Sequence, residues 1–357
     1  TATALPCARH RTFTVPDAPG GTALVFSLTA TSTEGSDTDT TNVYISDALP
    51  PGFFAEDIGD PLPGFTVYAA ASGTFTVTGD GHDIWPGARN DDFHFVYTQM
   101  TGNFGASVRV DGPVGTWPHG YTNAGIMIRQ STELNSADVL MVATRDQGIT
   151  FHSRRTTDIE SEWPELASMA PPITYPVYVG LQREGNTFYA WYSTDGINWV
   201  HQGQDEATIE ISDPVLLGMC VASENASTLA RAQFSEFSTS MSFPVAHAGA
   251  DATAHTGEDV VLDGSTSLNG EVYDWAQIGG PPVELSAQRS SPTMTFTVPD
   301  VPAGTLFTFK LTVANAEGTC ADTDVVYIRV VDGDELNAAI RAGMGWLAVE
   351  QNADGSW

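Results

Sequence analysis

The chain of 357 residues carries 44 acidic and 14 basic side chains, a formal net charge of −30 at pH 7. Phosphate groups are bound by clusters of lysine and arginine, so this composition speaks against nucleic acid and anionic membrane surfaces as partners. No apolar run approaches the roughly 20 residues of a membrane-spanning helix, which predicts no membrane insertion. The length predicts two or three domains. Cys7, Cys220 and Cys320 are widely spaced and odd in number, which predicts three isolated thiols.

A segment near the start of the chain recurs near its end. The sequence "FTVPDAPGGTALVFSLTATSTEGSDTDTTNVYI" at 13–45 aligns without a gap with "FTVPDVPAGTLFTFKLTVANAEGTCADTDVVYI" at 296–328, and 18 of the 34 positions from Phe13 to Ser46 are identical. An internal repeat predicts similar modules. About fifty residues of the same style precede the second copy, but almost nothing precedes the first. We therefore expect residues 1–46 to be the C-terminal part of a truncated module.

The second copy has the pattern of two strands joined by a turn. The segment "TLFTFKLTVANA" alternates between an apolar face and a more polar one, which is typical of a half-buried strand. The turn is "AEGT" and the closing strand is "DVVYIRV". Upstream, Trp275 is predicted to fill the core between two sheets. The predicted core face holds Phe307, Phe309, Leu311 and Val313, and the opposite face holds Leu306, Thr308, Lys310 and Thr312.

Several spaced motifs identify the module that contains the second copy. The segments "AGADATAHTGEDVVLDGSTS", "YDWAQIGGPPVELS" and "FTVPDVPAGTLFTFKLTVANAEG" resemble the immunoglobulin-like module of the polycystic kidney disease (PKD) type. We assign this module to residues 244–331. The resemblance implies an immunoglobulin-like β-sandwich of the kind that serves as a spacer or adhesion unit on secreted and surface proteins.

The block between the two copies is rich in short alternating segments. Turn signals separate them at intervals of roughly 8–15 residues, which is typical of a large antiparallel sandwich; Gly185 and Gly196 are the predicted positive-φ residues of two hairpin turns. The segments "DIGDPLPGFTVYAAASGTFTVTGDGHDIW", "DDFHFVY", "AGIMIR" and "YAWYSTDGINW" resemble concanavalin A-like jelly rolls of the regulation-of-enolase type. We assign this domain to residues 50–242. The fold carries lectins, glycosidases and structural domains alike.

A catalytic role for this block finds little support in its carboxylates. Glucanases of the concanavalin-like class place their acids in a short E-x-D-x-x-E strand, and the sequence lacks that motif. The nearest approach is "TTDIESEWPE", with Asp158, Glu160 and Glu162, and it has the character of a solvated acidic loop. We therefore predict no catalytic residues.

Acidic residues near predicted strand ends form a candidate calcium site. Carboxylates on tight, glycine-containing loops supply the oxygen ligands that Ca²⁺ prefers. The alternative is that Asp-Gly pairs simply form turns without any metal. The candidate ligands, in the segment "GDGHDIWPGARNDD", are Asp80, Asp83, Asp91 and Asp92.

Aromatic residues in loops form a candidate glycan site. Sugars stack on exposed rings beside polar side chains, and the loop "GTWPHGYTN" offers such rings at 115–123. Loop tryptophans can instead cover the edge of a core. The candidate glycan contacts are Trp117, His119, Tyr121 and Trp163, whereas Trp85, Trp191 and Trp199 are predicted to pack in the core.

The last segment, residues 334–357, departs from the β pattern. Apolar residues recur at helical spacing and Asp334 is placed as an N-cap, which predicts a short C-terminal helix. The ending "QNADGSW" resembles the Gln-Trp repeat of the α/α-toroid superfamily that includes terpene cyclases and prenyltransferases; the matching positions are Gln351, Gly355 and Trp357. The resemblance implies that a toroid would continue beyond Trp357.

Together these patterns predict a mainly β chain in which a concanavalin-like jelly-roll sandwich lies between immunoglobulin-like modules. The predicted function is non-catalytic extracellular binding or adhesion, with the central sandwich binding polysaccharide or surface glycan. Two alternatives stay open: a purely structural spacer array, and an accessory region of a carbohydrate-active enzyme. Calcium is the one cofactor that the sequence suggests.

Overall fold

The computed structural model describes residues 14, 17–81, 84, 90–115, 117–146, 148–157, 173–202, 207–225, 227–286 and 291–331. Within this part of the chain the regular elements are strands alone, which confirms the mainly β fold class. The predicted helix of 334–357 lies outside the described residues. The strands in chain order are β1 (Ala23–Ser32), β2 (Gly35–Tyr44), β3 (Phe54–Ile58), β4 (Phe65–Ala69), β5 (Thr74–Gly79), β6 (Phe93–Met100), β7 (Phe104–Pro113), β8 (Asn123–Arg129), β9 (Asp138–Thr144), β10 (Gly148–Arg154), β11 (Val177–Glu184), β12 (Thr187–Ser193), β13 (Trp199–His201), β14 (Ala207–Thr208), β15 (Val215–Ala222), β16 (Ala230–Met241), β17 (Ala252–Ala254), β18 (Asp259–Asp263), β19 (Val272–Gly279), β20 (Thr293–Thr297), β21 (Leu306–Ala314) and β22 (Cys320–Val330).

The chain divides into two compact units. The first unit comprises Thr1–Gly102, Ser107–Val179 and Ala207–Phe237, and the second comprises Asn103–Ala106, Gly180–Glu206 and Ser238–Trp357. The second unit therefore takes in residues on both sides of the domain boundary that the sequence predicts near residue 243. The domain limits given above stay predictions.

The main sheet of the first unit is six-stranded and antiparallel, in the order β10-β9-β8-β15-β6-β3. Strands β8, β9, β10 and β15 are buried along their whole length. Because both faces are covered, their sequences are almost continuously apolar, as in "VLMVAT" and "VLLGMCVA". One face of the sheet carries a core cluster that includes Phe93, Phe95, Met127, Leu140 and Cys220.

The rest of the first unit contains a further antiparallel group and a hairpin. Strand β5 pairs with β4 on one side and with β16 on the other, where Phe75 faces Phe234 and both rings are buried. Strands β1 and β2, which belong to the first copy of the repeat, pair along their full length as a separate two-stranded sheet.

The second unit contains the complete module. Strands β19, β21, β22, β13 and β12 are neighbours in one sheet, and β18 pairs with β20 in a second, two-stranded sheet. The alternation predicted for β21 is confirmed, because the four predicted core residues Phe307, Phe309, Leu311 and Val313 are fully buried. Trp275 is also buried, as predicted, and its Nε1 donates to the Pro292 carbonyl at 3.2 Å. The ring of Phe296 packs on that of Phe309 with centroids 4.7 Å apart.

Other local predictions can be compared directly with the structure. Gly185 and Gly196 have φ of 61° and 73°, as the predicted hairpin turns require. Trp191 and Trp199 are buried, as predicted, and Trp191 stacks on Phe243 with centroids 5.0 Å apart. Cys220 and Cys320 are buried free thiols, which agrees with the prediction for these two. Cys7 and Trp85 lie outside the described residues.

Candidate functional site

Trp117 is buried, contrary to its prediction as a stacking surface for sugar. The side chain retains only 4% of its surface. Its Nε1 donates to the Arg231 carbonyl at 3.3 Å, and its ring meets that of Tyr175 edge-on with centroids 5.7 Å apart. A ring that binds sugar by stacking has to present a face to solvent. Trp117 instead covers a core edge, which is the alternative that the sequence left open.

His119 and Tyr121 lie together on the surface of the same loop. Both side chains are exposed, Tyr121 by 39%. Their rings are nearly perpendicular, at 79°, with centroids 5.1 Å apart. His119 Nδ1 accepts the backbone N–H of Tyr121 at 3.3 Å. The neutral imidazole therefore carries its proton on Nε2, which makes that nitrogen a donor.

The turn after β9 brings a charged pair to this loop. The backbone N–H of Asp146 donates to the Gly120 carbonyl at 2.9 Å. Arg145 Nε and Nη2 donate to Asp146 Oδ1 and Oδ2 at 2.9 and 3.3 Å, respectively. A Cβ at Gly120 would lie 1.8 Å from Asp146 Oδ2, so this approach requires glycine. We call His119, Tyr121, Arg145 and Asp146 the Tyr121 patch.

Electrostatics keep the Tyr121 patch charged at neutral pH. The hydrogen bond from Arg145 lowers the pKa of Asp146 below its ordinary value, and the positive charges of Arg145 and His119 lower it further. The same hydrogen bond raises the pKa of Arg145. The patch thus presents an aromatic ring, an imidazole N–H, a guanidinium and a carboxylate side by side. Donors and acceptors beside an exposed ring match the needs of a ligand with many hydroxyl groups.

Asp80, a predicted calcium ligand, is buried and tied to protein donors. Ser223 Oγ donates to its Oδ1 at 2.9 Å, while the backbone N–H groups of Leu62 and Ser227 donate to its Oδ2, each at 3.1 Å. Burial raises the pKa of Asp80, but backbone hydrogen bonds, first that of Gly81, outweigh burial and lower it overall. The carboxylate therefore joins three loops of the first unit.

Asp91, a second predicted calcium ligand, is held by two buried arginines. Arg154 Nη2 and Nη1 donate to its Oδ1 and Oδ2 at 2.6 and 2.7 Å, and Arg129 Nη1 lies 3.2 Å from Oδ2. A cation ligand would not share its oxygens with two guanidinium groups, because they repel a metal ion. Arg154 also reaches Asp138 Oδ2 at 3.0 Å. The role of Asp91 is thus an ion-pair network inside the sheet.

The other two predicted calcium ligands leave the metal untested. Asp92 Oδ1 accepts the backbone N–H of Asp60 at 3.0 Å, and Asp83 lies outside the described residues. Among the residues that the structure describes, no group of three or more His, Cys, Asp or Glu side chains could hold a metal ion. A calcium site that involves Asp83 and Asp92 stays a prediction.

Sequence reasoning missed a second exposed aromatic group, at the edge strand β3. Tyr97 O–H donates to Glu56 Oε1 at 2.5 Å, and the rings of Phe54 and Tyr97 have centroids 5.7 Å apart. Phe54 is 53% exposed. Burial, followed by the contact with Glu56, raises the pKa of Tyr97 to about 12. The alternation in "FAEDI" and "FHFVY" places these side chains on one face, but only the register of β3 on β6 pairs Phe54 with Tyr97.

The remaining predicted residues lie outside the described part of the chain. Trp163 belongs to this group, and so do Asp158, Glu160 and Glu162 of the acidic loop. As glycan contacts, His119 and Tyr121 stay predictions, now placed together with Arg145 and Asp146. Neither arginine-aspartate partner could be found from spacing alone, because the turn that carries them follows a separate strand.

Comparison with known proteins identifies one module. Residues 248–330 match a family model described as a "PKD domain", which confirms that the segment predicted at 244–331 is a PKD-type module. No curated protein sequence matches the chain. Among the described residues, no helix is long and apolar enough to cross a membrane.

Solved structures resemble parts of the chain at low identity. A functionally unknown protein from Saccharomyces cerevisiae is 20% identical, with a TM-score of 0.40, over 52% of this chain and 95% of that one. The PKD domain of the KIAA 1837 protein is 27% identical, with a TM-score of 0.22, over 26% and 92%. A xylan β-1,4-xylosidase from Bacillus halodurans C-125 is 12% identical, with a TM-score of 0.34, over 58% and 45%. All three TM-scores are below 0.5, so the function of the chain has to be argued from its own residues.

Proposed function

We propose that this chain is a non-catalytic extracellular region of a modular protein and that its first unit binds carbohydrate at the Tyr121 patch. The observation that supports the proposal is the fixed arrangement of an exposed tyrosine and histidine against an Arg145–Asp146 pair. The site is pre-formed, because the Gly120 carbonyl and the Asp146 N–H join its two loops at 2.9 Å. A pre-formed site avoids part of the ordering cost of binding.

The chemistry of the patch fits a sugar better than an apolar ligand. The ring of Tyr121 offers a flat apolar surface for the C–H face of a pyranose. Arg145 offers N–H donors, Asp146 offers acceptors, and His119 Nε2 offers a donor, so hydroxyl groups at the ring edge find partners. All four side chains are exposed. An open site of this kind favours one end or one face of a long polymer over a small enclosed molecule.

The PKD-type module supports the extracellular part of the proposal. Modules of this type are typical of extracellular proteins, where they space or join other domains. The acidic composition, at −30, suits a surface that stays soluble in salt. In this account the second unit holds the first at a distance from neighbouring domains.

A structural spacer is the second candidate, and the burial of Trp117 favours it. If the loop at 115–122 serves only to close the edge of the core, then Tyr121 and His119 are ordinary surface residues. An accessory role beside a carbohydrate-active enzyme is compatible with the proposed binding and differs from it only in what the rest of a longer protein does.

Calorimetric titration of the chain with a panel of soluble neutral polysaccharides tests the proposal. We expect binding to at least one glycan, with a loss of about tenfold or more in affinity on Tyr121→Ala, since the stacking surface is removed. Leu134→Ala is the matched control, because Leu134 is 38% exposed on a different loop of the same unit. Repeating the titration with calcium and then with chelator shows whether a metal contributes. An absence of binding to any glycan would favour the spacer.

A further inference from the structure

The second unit presents an aromatic and cationic surface on the outer face of three adjacent strands. Strand β22 pairs with β21 on one side and, in parallel, with β17 on the other. Thr253, Arg329 and Leu306 are neighbours in one cross-strand row. Tyr327 pairs with Thr308 in the adjoining row. Side chains two residues apart on a strand share a face, so Tyr327 and Arg329 point to the same side.

A groove follows this face. Its volume is 520 Å³ and its lining consists of Asp251, Ala252, Thr253, Leu306, Tyr327 and Arg329. The ring of Tyr327 is 43% exposed and the side chain of Leu306 is 39% exposed. The backbone N–H of Tyr327 donates to Asp251 Oδ1 at 2.9 Å, which fixes the carboxylate beside the tyrosine. We call these residues, together with Lys310, the Tyr327 surface.

Two cations flank Tyr327 on this surface. Arg329 is two residues further along β22. Lys310 pairs with Val325, one position diagonal to Tyr327, where a side chain lies about 7–8 Å away. Lys310 is the only lysine in the chain, and the chain has 44 acidic residues. Among the described residues, neither cation has an ion pair or a side-chain hydrogen bond.

Charge complementarity therefore selects the ligand. Unpaired cations are unexpected on a protein with three times more acids than bases, and a carboxylate from a ligand would pair with them. The exposed ring of Tyr327 between them favours a flat partner with an apolar face. Asp251 and Thr253 add hydrogen-bonding groups for hydroxyls at the edge of that partner. A carboxylated sugar ring combines all three properties.

We propose that the Tyr327 surface binds an acidic glycan, one built from uronic acid units. A sugar ring stacks on Tyr327, its carboxylate pairs with Arg329, and the carboxylate of the next unit reaches Lys310. Arginine can bind a carboxylate through two parallel hydrogen bonds, so it makes the larger contribution. Asp251 accepts a hydroxyl. This site lies in the module that the proposed function treats only as a spacer, so it goes beyond that function.

The first copy of the repeat shows that the equivalent tyrosine position can hold a stacked cationic partner. Tyr44 occupies the position of Tyr327, 283 residues earlier. There the guanidinium of Arg231 lies 4.3 Å from the ring centroid, and the ring of Phe65 stacks with a centroid distance of 6.1 Å. The chain itself thus covers this tyrosine in the first copy. In the second copy the ring is exposed, with cations placed at its sides.

The test is a titration of the chain with a short oligogalacturonate and, separately, with the neutral oligosaccharide made by reducing its carboxyl groups. We expect the acidic form alone to bind, and more weakly as salt is raised, because exposed charge pairs are screened. Tyr327→Ala and Arg329→Gln should each reduce affinity about tenfold or more, and Lys310→Gln should have a smaller effect. Thr323→Ala, on the same strand, is the control and should leave affinity unchanged.

The variants also separate this proposal from the proposed function. Tyr121→Ala should not alter oligogalacturonate binding, and Tyr327→Ala should not alter binding of neutral polysaccharide. Equal affinity of wild type, Tyr327→Ala and Arg329→Gln for oligogalacturonate would overturn the site. Equal binding of the neutral form would overturn recognition of the carboxylate. A poly-glutamate peptide that binds as tightly and depends on the same residues would overturn the glycan in favour of an acidic peptide. All substituted side chains lie on the surface, and circular dichroism of each variant checks its folding.

Discussion

The two copies of the repeat form hairpins that differ in register and burial. In the first copy Ala23 pairs with Tyr44. The equivalent residues of the second copy are Leu306 and Tyr327, yet Leu306 pairs with Arg329 and Tyr327 pairs with Thr308. The register thus differs by two residues. A shift of two keeps every side chain on its original face, whereas a shift of one would exchange the faces.

The turn accompanies this difference in register. In the first copy Ser32 pairs directly with Gly35, so two residues connect the strands. In the second copy the N–H of Asn315 donates to the Cys320 carbonyl, and Gly318, with φ of 69°, closes a turn onto the Asn315 carbonyl. Four residues then lie between the paired positions. Loop length and register therefore change together, as expected for hairpins.

Burial separates the two copies further. Leu311 is fully buried, whereas the equivalent Leu28 is 73% exposed. In the second unit, strands β18 and β20 and the ring of Trp275 complete a core over this face. Sequence alternation determines which residues share a face, and the strands packed above it determine whether that face becomes a core.

The largest expected difference is between Phe309→Ala and Phe26→Ala at equivalent positions. Phe309 is fully buried against Phe296, so its truncation should cost about 3–5 kcal/mol of unfolding free energy. Phe26 is half-buried, and its truncation should cost less than about 1.5 kcal/mol. Amide hydrogen exchange of β21–β22 and β1–β2 measures both. Equal loss of protection in the two hairpins would contradict the comparison.

The second expected difference is the response of the two units to pH. The main core of the second unit is apolar, whereas the first unit buries the network of Asp91, Asp138, Arg129 and Arg154. Burial and the neighbouring Asp91 raise the pKa of Asp138 to about 7. Since an unfolded carboxyl titrates near pH 4, the folded state holds this proton more tightly. Its contribution is complete below about pH 4 and is lost as pH rises to 7, on the order of 2–4 kcal/mol.

Asp138→Asn isolates this effect, because the amide oxygen can still accept from Arg154. Buried His152, with a pKa lowered to about 4, changes stability in the opposite direction and is common to both proteins. Denaturation of the first unit between pH 4 and 7 should therefore fall less steeply in the variant than in wild type. The same slope in both would show that Asp138 does not titrate in this range.

The smallest difference concerns the paired tyrosines. Tyr44→Ala removes the contacts with Arg231 and Phe65 and should cost about 1–2 kcal/mol in the first unit. Tyr327→Ala should change the stability of the second unit by less than about 0.5 kcal/mol, because the ring is largely exposed. Thermal unfolding of both variants makes the comparison. A larger cost at Tyr327 would mean that its ring supports the fold.

Sequence predicted what depends on short-range pattern. The core face of β21, the buried Trp275 and the turns at Gly185 and Gly196 all follow from alternation and turn chemistry within a few residues. Asp91 could not be assigned in this way, because its main partner, Arg154, is 63 residues away. The same limit applies to Trp117, whose acceptor belongs to Arg231, 114 residues along the chain.

The site was predicted only in part for the same reason. The loop at 115–123 placed His119 and Tyr121 near each other, since they are two residues apart. Arg145 and Asp146 were missed because they reach the loop through a backbone contact with Gly120. No local motif encodes that contact, although a glycine between two aromatic residues was a signal of close approach.

The most direct test of the proposed function is the ratio of dissociation constants for one polysaccharide between the intact chain and its Tyr121→Ala variant, measured by calorimetry with Leu134→Ala as the control. We predict a ratio of about ten or more for Tyr121→Ala and a ratio near one for the control. Equal dissociation constants for all three proteins would contradict binding at the Tyr121 patch.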